Sequence, residues 1–79
     1  MTITDITSLS DAQLAATPAF ADMIDDLPTM GMMGVDGFIE LFKQLDRPMP
    51  KCERLVLDAT RRLESPAIAK KFQRYLARR

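Results

Sequence analysis

Five prolines, at positions 18, 28, 48, 50 and 66, constrain this 79-residue chain more than any other feature. Each fixes its own φ and lacks an amide donor, so a helix interior or a central strand tolerates none of them cheaply. The segments between them are short and carry a helical period. Phe20, Met23, Ile24 and Leu27 are spaced i, i+3, i+4 and i+7, and Phe38, Leu41, Phe42 and Leu45 repeat that spacing, which puts each set on one face of a helix. Cys52, Leu55, Val56, Ala59 and Leu63 form a third apolar stripe, and Ile68, Phe72, Tyr75 and Leu76 a fourth. No stretch alternates apolar and polar residues over the length of a strand. The pattern predicts an all-α fold, a compact bundle of four to five short helices with proline-marked turns, in a single domain.

Local signals set the boundaries. Residues 1–9 lack a convincing period and read as a loosely held tail. Ser10 with Gln13 forms a capping-box pattern, with Leu9 and Leu14 placed as a hydrophobic staple. Thr17-Pro18 ends that first helix and opens a second, capped by Thr17 and running to Leu27, where Pro28 stops it. Ser65-Pro66 repeats the device for a last helix reaching about Ala77. Pro50 opens the helix before it, which runs to about Glu64 and carries an i, i+4 ion pair from Asp58 to Arg62.

Between these lies Leu27 to Phe38, which holds all three glycines, Gly31, Gly34 and Gly37, and three of the six methionines. A glycine inside a helix costs about 1 kcal/mol relative to alanine. The expectation is a loop or broken turn from Thr29 to Val35, then a helix capped by Asp36 and ending near Asp46 before Arg47-Pro48-Met49-Pro50. The core expected from the four stripes is Leu14, Phe20, Ile24, Leu27, Phe38, Leu41, Phe42, Leu45, Leu55, Val56, Leu63, Ile68, Phe72 and Leu76. Leu57 falls off its stripe and is free to touch a partner or the tail.

A chain of this size buries a thin core, and small domains often add a staple, a metal or a partner. Cys52 is alone, so no intrachain disulfide can form, and the absence of histidine makes zinc a poor fit. No secretory signal and no apolar run long enough to span a membrane is visible, so a soluble, cytoplasmic protein is expected. Net charge is zero but unevenly spread: residues 1–50 carry eight acids against two bases, and residues 51–79 nine bases against three acids. Such asymmetry is a signal of partners or of two halves attracting each other.

Chemistry is poorly supplied. Asp22, Asp25 and Asp26 share a helix face but lack the loop pattern of a calcium site, and read as a solvated face. Cys52 sits on an apolar stripe with no histidine to activate it, and reads as a buried structural thiol. The glycine spacing is not a phosphate-binding loop, since no strand precedes it and no Gly-Lys-Ser/Thr follows. Gly34-Val35-Asp36-Gly37-Phe38 resembles the Gly-x-Asp-Ser-Leu attachment motif of acyl carrier proteins, small helical proteins of similar length. Gly37 stands where that family has the serine that takes phosphopantetheine, so the resemblance implies neither the prosthetic group nor the carrier activity.

Function is therefore expected to be non-enzymatic and cofactor-free: a protein-interaction module, such as a regulator, inhibitor or assembly adaptor, docking through Met30, Met32, Met33 and Val35. Methionine is unbranched and polarisable and adapts to varied surfaces. The alternative is a nucleic-acid-associated protein whose last helix contacts phosphates through Lys70, Lys71, Arg74 and Arg78, without reading bases. Another protein is the expected partner, nucleic acid the second, and association with a second copy is compatible with the charge pattern.

Overall fold

The computed structural model describes residues 8–78, and all regular structure among them is helical. Six helices follow in order: α1 (Asp11–Ala15), α2 (Pro18–Asp25), α3 (Leu27–Met30), α4 (Met32–Leu45), α5 (Pro50–Arg61) and α6 (Pro66–Arg78). The fold is an all-α bundle, as the periodicity requires. All but the last two residues of the expected tail lie outside the described residues.

The start of α1 follows the sequence closely. The Ser10 hydroxyl accepts from the Gln13 amide at 3.1 Å, and the Gln13 side chain accepts from the Ser10 amide at 2.8 Å, which completes the capping box. Thr17 behaves differently from its expected role. Its hydroxyl donates back to the Gln13 carbonyl at 2.9 Å and does not cap α2.

The glycine-rich stretch departs most from expectation. Where a loop was expected from Thr29 to Val35, the chain forms the single turn α3 and then the first turn of α4. Pro28 does not stop a helix there; it sits in the first turn of α3, where a missing amide hydrogen costs nothing. Asp36 lies inside α4 and is not its cap. Only Gly31 breaks the helical path, with φ +58° and ψ −128°, a conformation open to glycine and strained for other residues. Packing overrides propensity here, because the stretch contributes Leu27 and Val35 to the core, both fully buried.

The core holds nine of the expected residues: Leu14, Phe20, Leu27, Phe38, Phe42, Leu45, Val56, Ile68 and Phe72. Ile24, Leu41, Leu63 and Leu76 pack against it half-buried, as does Leu57. Leu55 is a correction: it is exposed, and the fully buried Thr60 replaces it inside, its hydroxyl donating to the Leu57 carbonyl at 2.7 Å. Met49, Ile39 and Cys52 also join the core. The expected Asp58–Arg62 pair is replaced by Arg54 and Asp58 at 3.6 Å.

All five aromatic residues of the chain form one continuous ladder. Phe20 meets Phe38 edge-on at 5.5 Å, Phe38 stacks on Phe42 at 6.3 Å, Phe42 meets Phe72 at 6.0 Å, and Phe72 meets Tyr75 at 6.0 Å. The ladder ties α2 to α4 and α4 to α6. Helices α4 and α6 lie side by side in the same sense: Gly31 is near Ile68, Asp36 pairs with Lys71, and Lys43 shares a groove with Arg78. Helix α5 carries the chain back between the far end of one and the near end of the other.

Candidate functional site

Two features of the surface stand out, and both are set by how α4 is held. The first is a methionine ledge at its N-terminus. Met30 ends α3 and Met32 and Met33 open α4, on either side of the Gly31 break. They are 47%, 37% and 72% exposed, and Met23 on α2 is exposed as well. Gly34 lets the ledge sit close to α4. A Cβ at Gly34 would meet a Leu27 methyl at 2.9 Å and the Met30 Cβ at 3.0 Å, so any larger residue would require α3 to shift. Val35, expected on the same surface, points inward and is 0% exposed, so the folded chain offers three of the four residues expected there.

Beside the ledge is an open cleft of about 560 Å³ between α3, the end of α5 and the start of α6. Ile24, Leu27, Ala59, Leu63 and Ile68 give it an apolar floor, and Asp25, Glu64 and Arg62 stand at its rim. Asp22, Asp25 and Asp26 are all exposed on α2 and its C-terminal cap, and of the three Asp25 lines the cleft. No group of three or more Cys, Asp or Glu side chains among the described residues is placed to hold a metal ion.

The second feature is a basic groove of about 460 Å³ between α4 and α6, lined by Ile39 and Lys43 from α4 and by Lys71, Arg74, Tyr75 and Arg78 from α6. Three of the four expected phosphate-contacting residues meet here. Lys70 does not: it faces a separate hollow on the α5 side, with Arg61, Glu64 and Gln73. Lys43 went unrecognised in the sequence because it lies some thirty residues from its neighbours in the groove, and only the α4–α6 packing brings them together. Lys71 is ion-paired with Asp36, and Lys43 with Glu40 at 3.8 Å. Arg74 and Arg78 have no ion-pair partner among the described residues.

Cys52 belongs to neither feature. It is fully buried at the start of α5, its thiol donating to the Asp11 carbonyl at 3.3 Å. Burial first, then the neighbouring Asp11, pushes its pKa up to about 12, so the thiolate needed for nucleophilic attack is scarce at neutral pH. The Asp11 carboxylate accepts from the Lys51 amide at 2.7 Å and the Cys52 amide at 2.9 Å. Burial alone would raise the Asp11 pKa, but these hydrogen bonds outweigh it and hold the carboxyl below its usual range.

The structure thus defines a small helical bundle with an exposed methionine ledge, a cleft beside it and a basic groove between two parallel helices. Comparison with known proteins adds nothing further: no family model, curated protein or solved structure matches the chain. No helix among the described residues is long and apolar enough to cross a membrane.

Proposed function

We propose that this chain is a small non-enzymatic protein-interaction module of the cytoplasm, acting as a regulator, inhibitor or assembly adaptor through the methionine ledge and the cleft beside it. The observation that carries this reading is the exposure of Met30, Met32 and Met33 around a glycine-fixed break, next to an apolar-floored cleft. Flexible thioether side chains repack against differently shaped partners. The cleft would take a single apolar anchor, the arrangement that concentrates binding energy at protein interfaces. Asp25 and Glu64, which line the cleft, favour a partner with basic residues flanking that anchor, such as an amphipathic basic helix. A non-enzymatic role is supported by a chain without histidine, whose one thiol is buried and protonated.

The test is capture of a partner from the native cell by the wild-type chain, followed by affinity measurement with Met30, Met32 and Met33 all changed to Gln. Glutamine keeps helix propensity and length while replacing the apolar thioether. The expected result is at least a tenfold loss of affinity with unchanged helical circular dichroism. A partner bound equally well by the triple variant would rule out the ledge as its docking surface.

A further inference from the structure

We propose that the groove between α4 and α6 is a binding site for single-stranded nucleic acid, with Lys43, Lys71, Arg74 and Arg78 holding phosphates and Tyr75 offering its ring to a base. Cations alone would attract any anion. What narrows the class is the company of Ile39 and Tyr75, which place apolar and aromatic surface in the same groove as the four cations. Non-specific single-strand binding needs that pairing: a positive groove that tracks the backbone, and an aromatic face on which a base can stack.

Tyr75 is well placed for the task. It is the last ring of the aromatic ladder, tilted at 39° against the fully buried Phe72, so its position is set by the core, yet its side chain stays partly exposed. A second hollow, lined by Phe42, Lys43, Asp46, Arg47, Pro48 and Tyr75, shares Lys43 and Tyr75 with the groove. The path therefore continues past the ring, with Asp46 the acid that lines the second hollow. The Arg47 guanidinium in that hollow already donates to the Leu9 carbonyl.

The existing ion pairs are no obstacle. Asp36 and Glu40 stay largely solvent-exposed, and surface pairs of this kind contribute little to stability, so a phosphate can replace either carboxylate. Duplex DNA fits less well. Its regular backbone is best met by a protruding helix or ribbon laid into a groove, whereas here the cations line a recess between two helices.

The molecule carries its own reporter. It has one tyrosine and no tryptophan, so intrinsic fluorescence comes from Tyr75 alone. Titration with an oligo(dT) strand at low salt is expected to quench that emission. With four phosphates neutralised, affinity should fall about fiftyfold between ~50 and ~200 mM salt. Changing Arg74 or Arg78 to Ala should weaken binding several-fold, while Lys70→Ala, an equal charge change outside the groove, should leave it nearly intact. Tyr75→Leu should weaken oligo(dT) by about tenfold and leave inorganic tripolyphosphate unaffected.

Four results would overturn the proposal. These are no quenching or anisotropy change at low salt, a loss with Lys70→Ala equal to that with Arg74→Ala, tighter binding of duplex than of single strand, and tripolyphosphate competing without any contribution from Tyr75 to oligo(dT) affinity. Circular dichroism of each variant separates lost binding from lost fold. None of these outcomes bears on the methionine ledge, which lies at the other end of α4.

Discussion

The three glycines look alike in the sequence and do different work. Gly31 supplies a positive φ that lets α3 turn into α4. Gly34 is needed for space, because α3 folds down onto it. Gly37 is needed for neither: it sits exposed inside α4, and beyond its own stretch of helix backbone nothing lies within 4 Å of where a Cβ would be. Gly37→Ala should therefore stabilise the fold by about 0.5–1 kcal/mol, through helix propensity alone. Gly34→Ala gains the same propensity but drives a methyl group into Leu27 and the rigid Cβ of Met30. Overpacking of that kind costs about 1–3 kcal/mol, so its net effect should be destabilising. Urea denaturation of both variants checks the contrast. A midpoint raised as much by Gly34→Ala as by Gly37→Ala would mean that α3 does not pack onto α4 as described.

At the scale of elements, α5 shows how a helix can be completed from a distance. Its own N-cap residue is Met49, whose side chain makes no capping hydrogen bond, and its free amides at Lys51 and Cys52 are taken by Asp11, some forty residues earlier in α1. Glu53 adds a local contact, accepting from the Met49 amide at 3.3 Å. Asp11→Ala should cost about 0.5–2 kcal/mol, as the loss of a capping side chain does. Because the folded Asp11 carboxyl is more acidic than in the unfolded chain, its contribution is complete at neutral pH. It fades as pH falls through the usual carboxylate range and below. The stability gap between wild type and Asp11→Ala should thus narrow from about pH 7 toward about pH 3, read from denaturation at each pH. A gap independent of pH would mean that the carboxylate does not make these bonds. The contrast with Ser10 shows what sequence can reveal. The Ser10–Gln13 box spans three residues and is legible as written, as are the starts of α2, α5 and α6 and most of the apolar stripes. The Asp11 cap, the helical path through Met32–Val35 and the union of Lys43 with Arg74 all depend on which elements pack together. Local propensity argued against the second of these and was silent on the other two.

At the scale of the whole molecule, charge and aromatic packing divide the work. The acidic first half and the basic last third carry opposite charge, yet among the described residues Asp36–Lys71 is the sole ion pair joining them. An exposed pair contributes about 0–1 kcal/mol, so the charge polarity does little for the fold. The bundle is held instead by the aromatic ladder, since Phe42 and Phe72 are the rings that join α4 to α6 and both are almost wholly buried. Phe72→Ala should cost about 3–5 kcal/mol. A small domain holds only about 5–15 kcal/mol in total, so the variant should be far closer to unfolding than wild type. It should also release Tyr75, whose near-ultraviolet dichroism is the only tyrosine signal in the chain. Phe72→Leu keeps most of the volume and should retain most of the stability while still losing the ring contact. Denaturant midpoints and the Tyr75 dichroism, measured on the same two variants, separate packing from ring geometry. If Phe72→Ala left both unchanged, α6 would not be docked through this ladder, and the basic groove would lose the support that fixes its shape.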